Sequence, residues 1–259
     1  HRGVAMVAGF IMTMISYFFV LTYGGMVMQA VMEEKANRIV ELIVSSVKPF
    51  QLMLGKIAGI LLVGLFQLLI WALLLAVIMP IADKLCGVNI AMMSANGSTA
   101  AVPDAGLSDA MIMWLSVMNL PYLEMGIMFL LLFIGGYLLY ASVFAAIGAS
   151  INEQQDSSQF MMPIMLLMAF SLYAAIYSVE NTDGPLAFWA SIFPLSSPIV
   201  MMVRIPFGVP LWQEILSVAL LYLTALLGIW GSGRIYRVGI LMYGKKPSLK
   251  QMMRWMLKG

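Results

Sequence analysis

The sequence predicts an all-α polytopic membrane protein with five spanning helices. Three observations lead there. Of 259 residues, 62% are hydrophobic and only 10% charged, against about 25% charge in an ordinary soluble domain. Five separate apolar runs reach the roughly 20 residues a helix needs to cross a hydrocarbon core about 30 Å thick. None alternates as a barrel strand would, so each must satisfy its own backbone amides as a helix.

The first run, Val4–Val31, follows His1, Arg2 and Gly3. It is too long for a signal-peptide core and has no small-residue cleavage pattern close behind it, so it reads as a true span. The non-methionine start is expected of a fragment or a processed product. The remaining spans are expected at Ile57–Met79, Tyr122–Ser150, Phe160–Val179 and Glu214–Ser232. Cys86 is the sole cysteine, which excludes an intrachain disulfide framework.

Between the first two spans lies EEKANRIVELIVSSVKPFQLMLGK, residues 33–56, the most densely charged interval between hydrophobic segments. Glu34, Arg38, Glu41, Ser45 and Lys48 step by four, three, four and three, which places them on one stripe of a helix. Ile39, Leu42, Ile43 and Val47 fall on another side. Glu34 and Arg38 stand in the favourable i,i+4 order of acid before base. The spacing predicts an amphipathic helix at the membrane surface. Its charged face suits a soluble partner; an ordinary solvated loop helix is the alternative.

Orientation follows from the placement of Lys and Arg. With residues 33–56 inside, eleven basic residues lie on that side: Lys35, Arg38, Lys48, Lys56, Arg234, Arg237, Lys245, Lys246, Lys250, Arg254 and Lys258. Arg2, Lys84 and Arg204 lie opposite. The positive-inside rule therefore predicts an external start and an internal C-terminus.

The connections differ in character. Residues 81–121 form an external loop of about forty residues, in which Met111–Met118, containing Trp114, is expected to be a short helix on the membrane. Residues 180–213 are also external. They are broken by Pro185, Pro194, Pro198, Pro206 and Pro210, yet stay largely apolar. Dense proline forbids one continuous helix, and apolar content argues against a solvated loop. Two short re-entrant or interfacial helices satisfy both facts, if other helices shield their backbone. A loop anchored by Trp189 and Trp212 is the alternative. The tail, 234–259, is basic and amphipathic, as expected of a helix on anionic lipid.

Gly55 with Gly59, and Ala141, Ala145 and Ala149, recur at four-residue spacing, which lets helices approach closely. Gly239–Lys246 approximates a phosphate-binding loop, but Lys246 stands where Ser or Thr must hold magnesium and a span replaces the preceding strand. An ATPase, if one drives this protein, belongs elsewhere. The 25 methionines fit flexible packing better than soft-metal carriage. No H-E-x-x-H or G-x-S-x-G is present, and no catalytic site is expected. Glu124, Glu180, Asp183 and Glu214 sit near external span ends, where Glu124 could face a polar cavity or pair with a neighbouring helix.

The run from Glu33 to Lys56, directly after one span and before the next, resembles the corresponding loop of ABC-2 type permeases. The branch it is most similar to is the sodium-efflux (NatB-like) one. Glu34, Lys35, Arg38, Glu41, Ser45, Gly55 and Lys56 carry the resemblance, and it extends through the proline-broken segment to RIYRVGILMYGKKPSLK.

The resemblance implies a six-helix fold, here without its first helix and extracytoplasmic domain, in a bacterial cytoplasmic membrane. It implies a transport subunit, not an enzyme: a permease of an ATP-driven exporter, paired with a second copy or paralogue. ATP and magnesium would bind a cytoplasmic ATPase chain, with no cofactor, metal or nucleic acid on this one. Glu33, Glu34, Lys35, Arg38, Glu41, Ser45 and Lys48 would couple to the ATPase. Pro194, Pro198, Arg204 and Pro206 would shape the re-entrant segment, and Glu124, Gly55 and Gly59 would serve pathway or packing. A membrane-embedded enzyme, or a non-transporting scaffold or sensor of the same fold, is the alternative.

Overall fold

The structure is a computed structural model that describes residues 2–38, 47–85, 120, 122–152, 156–242 and 249–258. Five of its helices are long and apolar enough to cross a membrane. They are α1 (Arg2–Ala36), α2 (Pro49–Leu85), α3 (Tyr122–Ser150), α4 (Ser157–Glu180) and α7 (Leu211–Gly239). Two eight-residue helices, α5 (Pro185–Ile192) and α6 (Ser197–Arg204), lie between α4 and α7, and α8 (Leu249–Lys258) ends the chain. The all-helical polytopic fold predicted from apolar runs is the fold observed.

α3 is the hub. Its principal neighbours are α7 on one side and α1 on the other, and Phe133, Tyr137, Ala141, Phe144, Ala145 and Ala149 on it are fully buried. Helices in lipid gain little hydrophobic drive from one another and rely on close packing and hydrogen bonds. Small residues provide that packing here. A Cβ on Gly148 of α3 would meet the Met28 carbonyl of α1 at 2.8 Å or less, at 2.7 Å. The Ala141, Ala145 and Ala149 row thus packs as its spacing suggests. α2, by contrast, stands at the margin, with 6% of its most apolar window buried.

Alternating directions bring Ala36, Pro49, Ser150 and Gly239 to one end of the bundle, the basic end. The start of α1, the end of α4, α5, α6 and the start of α7 lie at the other, the proline end. There α5 descends and α6 returns. Their turn meets the middle of α1, where the Ser16 hydroxyl donates to the Pro198 carbonyl at 3.2 Å. Ser16 lies roughly 20 Å along the axis from Arg2. The pair is therefore re-entrant, and its return ends in a short 3-10 turn, Ile205–Phe207, closed by Gly208 in the left-handed region at φ 80°.

The expectation of one continuous helical stripe from Glu34 to Lys48 is corrected at its described ends, and residues 39–46 lie outside the described residues. Glu33–Ala36 are the last turn of α1, and α2 begins at Pro49. Arg38 adopts φ 54°, a left-handed conformation that ends a helix, so Glu34 and Arg38 do not share one helical stripe with Lys48. Lys48 instead precedes α2, accepting from the Gln51 and Leu52 amides with its carbonyl, while Pro49 takes the first helical position that favours proline. Glu41 and Ser45 lie outside the described residues, as do Cys86, the expected helix at Met111–Met118, and Lys245–Lys246.

In the tail, α7 continues past its predicted end through Arg237, and α8 packs back on it. Met252 of α8 is buried with Trp255 against the main core cluster, and Arg234 donates to the Met256 carbonyl at 3.3 Å. One face of this amphipathic helix is thus covered by protein. Met253 and Leu257 remain exposed.

Candidate functional site

Polar side chains inside the bundle gather at two places, one at each end. At the proline end they answer a backbone problem. Proline has no N–H, so Pro194 leaves the Ala190 carbonyl without its helical donor, and Pro198 does the same to Pro194. Lipid offers no substitute. The Ser196 hydroxyl fills the first vacancy, donating to Ala190 O at 2.6 Å, and Ser197 reaches Pro194 O at 3.5 Å. Tyr140 of α3 donates to the Leu195 carbonyl in the turn, and Thr13 of α1 to Ile199 at 3.1 Å. Ser217 of α7 donates to Ser191 O at 2.8 Å. The re-entrant pair is thereby tied to α1, α3 and α7 by hydroxyls.

Arg204 closes this seam. It is 1% exposed. Its Nε donates to Thr182 O at 2.9 Å, Nη1 to the Ser191 hydroxyl and Nη2 to Gln213 Oε1 at 3.1 Å. The Asp183 charge supports the guanidinium from the α4–α5 turn. Its place in the last turn of α6 also suits a cation, since the helix dipole is negative there. Pro198 of α6 and Pro206 of the following 3-10 turn are buried, and a Cβ on Gly136 of α3 would meet the Pro198 ring at 2.7 Å. Pro194, Pro198, Arg204 and Pro206 all lie along the re-entrant segment, Pro194 in the turn between its two helices.

At the basic end the geometry differs from expectation. Lys35 is 3% exposed, and its Nζ donates to Ala149 O at 2.6 Å and Gly239 O at 2.8 Å. Those carbonyls belong to the last turns of α3 and α7, where four acceptors of each helix lack intrahelical donors. One ammonium thus meets the negative ends of α1, α3 and α7. Lys35 therefore leaves the expected docking surface and becomes an internal tie. A Cβ on Gly239 would lie 3.0 Å from Ala149 O, so glycine permits the approach.

Glu34 pairs with Lys56, which also donates to Ala30 O at 3.3 Å. This ion pair joins the end of α1 to the start of α2, in place of the expected Glu34–Arg38 pairing. Glu33, Arg38 and Lys48 are exposed around it. These are the described members of the predicted coupling set that present a face to solvent.

An added Cβ on Gly55 or Gly59 meets nothing within 4 Å, so neither packs closely against another helix among the described residues. Glu124 is exposed in the first turn of α3, and Glu180 and Asp183 line an open cleft of about 540 Å³ that Gly208 also borders. Glu214 is buried instead, 1% exposed on α7. Sequence reasoning missed Thr13, Ser16, Tyr140, Ser191, Ser196 and Gln213. Hydroxyls and an amide within or beside apolar runs were the available signal, and the proline count upstream of them said how many carbonyls needed donors. Among the described residues no group of three or more His, Cys, Asp or Glu is placed to hold a metal.

Five apolar helices wrapped around a proline-broken re-entrant pair, with an ion pair and a buried ammonium at the opposite end, define a polytopic membrane protein built around a packed helical hub. The chain belongs to the ABC-2 family of transporter membrane proteins: the model described as "ABC-2 family transporter protein" matches residues 4–234. It is 28% identical over 246 residues to the uncharacterized protein YhaP of Bacillus subtilis (strain 168), covering 93% of this chain and 53% of the relative. It is 25% identical over 244 residues to the uncharacterized protein MJ1024 of Methanocaldococcus jannaschii, covering 93% and 52%. The chain spans about half the length of the curated relatives it matches. No solved structure matches it.

Proposed function

We propose that this chain is the membrane permease part of an ATP-driven exporter whose hydrolysis occurs on a separate cytoplasmic ATPase, with a second permease copy or paralogue completing the pathway. Family membership supports the transporter class. The observation that carries the coupling is the basic end itself. The segment between α1 and α2 leaves Lys35 and returns to Lys56, and these two residues reach α1, α2, α3 and α7 together. A push on that segment passes into four helices at once. The face that receives it comprises Glu33, Arg38, Glu41, Ser45 and Lys48, with Glu34 holding the α2 end in register. The basic end is then cytoplasmic, as the Lys and Arg asymmetry requires, and the re-entrant pair faces outward in the bacterial inner membrane.

Export of sodium is the finer proposal, supported by the likeness of residues 33–56 to the sodium-efflux branch; a small or hydrophobic molecule is the other substrate class. The deciding experiment places photo-crosslinkers at Glu33 and Glu41 of the full-length protein in native membranes. A crosslink to an ATPase subunit at both positions is expected. Intact, folded permease without any such crosslink would overturn the coupling reading.

A further inference from the structure

Glu214 is the buried carboxylate among the described residues. It lies on the stripe of α7 that continues through Val218, Leu221 and Ala225, and that stripe packs with Met125 and Met128 of α3 and with Ile205 and Val209 of the re-entrant exit. The cluster is apolar. The Oε1 of Glu214 is buried and has no hydrogen-bond partner among the described residues.

Its polar neighbours on α7 are directed elsewhere. Gln213 accepts from Arg204, and Ser217 donates to the Ser191 carbonyl. The buried cation of α6, Arg204, directs its described donors to Thr182, Ser191 and Gln213 and not to Glu214. An ionised carboxylate with a bare oxygen in an apolar setting is far costlier than a neutral acid, so such a group takes up a proton. The other described carboxylate on the helices flanking this cluster is Glu124, in the first turn of α3.

From this geometry we infer that Glu214 is a proton-binding site at the proline end, its Oε1 carrying a proton in the described conformation. Binding forms one O–H bond at Oε1 with a proton from water, and release returns it. Charged side chains described at this end, on the elements packed against α7, are Glu124 on α3 and Arg204 on α6, with Asp183 beside Arg204; α5 brings none. Release of the proton leaves a carboxylate one residue from Gln213. That charge lies beside the residue that holds Arg204 Nη2, so proton occupancy bears on the seam that docks the re-entrant pair. This site does not depend on the ATP-driven reading.

The test is infrared spectroscopy of the full-length protein in lipid nanodiscs across pH. A protonated-carboxyl C=O band that shifts in heavy water is expected at neutral pH, present in the wild type and in E124Q and lost in E214Q. The pH at which it disappears should be lower in E124Q, because a like charge has been removed. E124Q carries the test alone if E214Q does not fold. Absence of the band at neutral pH, its persistence in folded E214Q, or an unchanged midpoint in E124Q would overturn the assignment.

Discussion

The Lys35 ammonium donates to the Gly239 carbonyl at 2.8 Å, joining the end of α1 to the end of α7 across 204 residues of sequence. With the second bond to Ala149, the same atom holds α3. The three helix ends share one cation, and the segment proposed to face the ATPase begins two residues later.

Replacing Lys35 with Met keeps much of the apolar stem and removes both bonds. The Ala149 carbonyl at the end of α3 then loses its side-chain donor, at a cost of about 1–3 kcal/mol where water does not reach it, while Gly239 O keeps the Met242 amide at 3.1 Å. Unfolding in detergent should show a lower midpoint for Lys35→Met and a smaller loss for Lys35→Arg, which restores a cation. In vesicles reconstituted with the ATPase, Lys35→Met should lower transport per ATP hydrolysed more than hydrolysis itself. Equal loss of both would deny it a transmitting role.

The ion pair of Glu34 and Lys56 is partly exposed, with side chains 28% and 10% accessible, so its worth is below that of a fully buried pair. Glu34→Lys or Lys56→Glu alone should destabilise by about 1–2 kcal/mol. The double exchange should recover part of that, which a double-mutant cycle measures as a coupling energy. No recovery would mean that the pair does not join α1 to α2 in solution.

The re-entrant turn depends on hydroxyl donors more than on apolar fit. Tyr140→Phe removes the donor to Leu195 O while keeping the ring, and Ser196→Ala removes the donor to Ala190 O. Each should cost about 1–3 kcal/mol, the penalty for an orphaned buried carbonyl. Thermal unfolding reads the loss, and faster proteolysis within residues 185–210 should accompany it. A loss below about 0.5 kcal/mol would mean that water reaches the turn.

Gly148 and Gly59 make a matched contrast. A side chain on Gly148 strikes the Met28 backbone, so Gly148→Val should destabilise by at least about 1–3 kcal/mol. Gly59→Ala meets open space and should stay within about 0.5 kcal/mol for a single chain. A large effect at Gly59, seen only where copies associate, would place that glycine in an interface between chains.

Much of the fold was legible because apolar length is a strong signal. The runs at Tyr122–Ser150 and Phe160–Val179 became α3 and α4 nearly residue for residue, and the five prolines of 180–213 foretold a broken, re-entrant element. The single stripe from Glu34 through Arg38 was misread for a physical reason. Helical periodicity runs through Glu34, Arg38 and Lys48, but periodicity carries no information about tertiary partners. Lys35 finds the carbonyls of Ala149 and Gly239, and Arg38 turns left-handed, so the helix ends where packing ends it. Gly55 and Gly59 show the same limit. Spacing reveals that two helices can come close, and only the arrangement of neighbours decides whether they do.

The sparse embedding of α2 has a mechanical meaning. Met53 and Ile57 root it in the core near its basic end, with the Tyr137 hydroxyl bonded to Ile57 O at 2.9 Å. Tyr23 bonds Gln67 halfway along, in a partly buried contact. From Leu73 to Ile78 its large side chains are exposed. Ile57 to Leu85 is roughly 42 Å of helix. Pivoting on Ile57, a tilt of about 5° would carry the far end through roughly 4 Å, while Pro49 at the end of the short arm would move only about 1 Å. Rooted at its basic end and bare beyond Leu73, α2 is built as a lever whose fulcrum lies near the ion pair, so a small tilt there becomes a several-fold larger displacement at the far end.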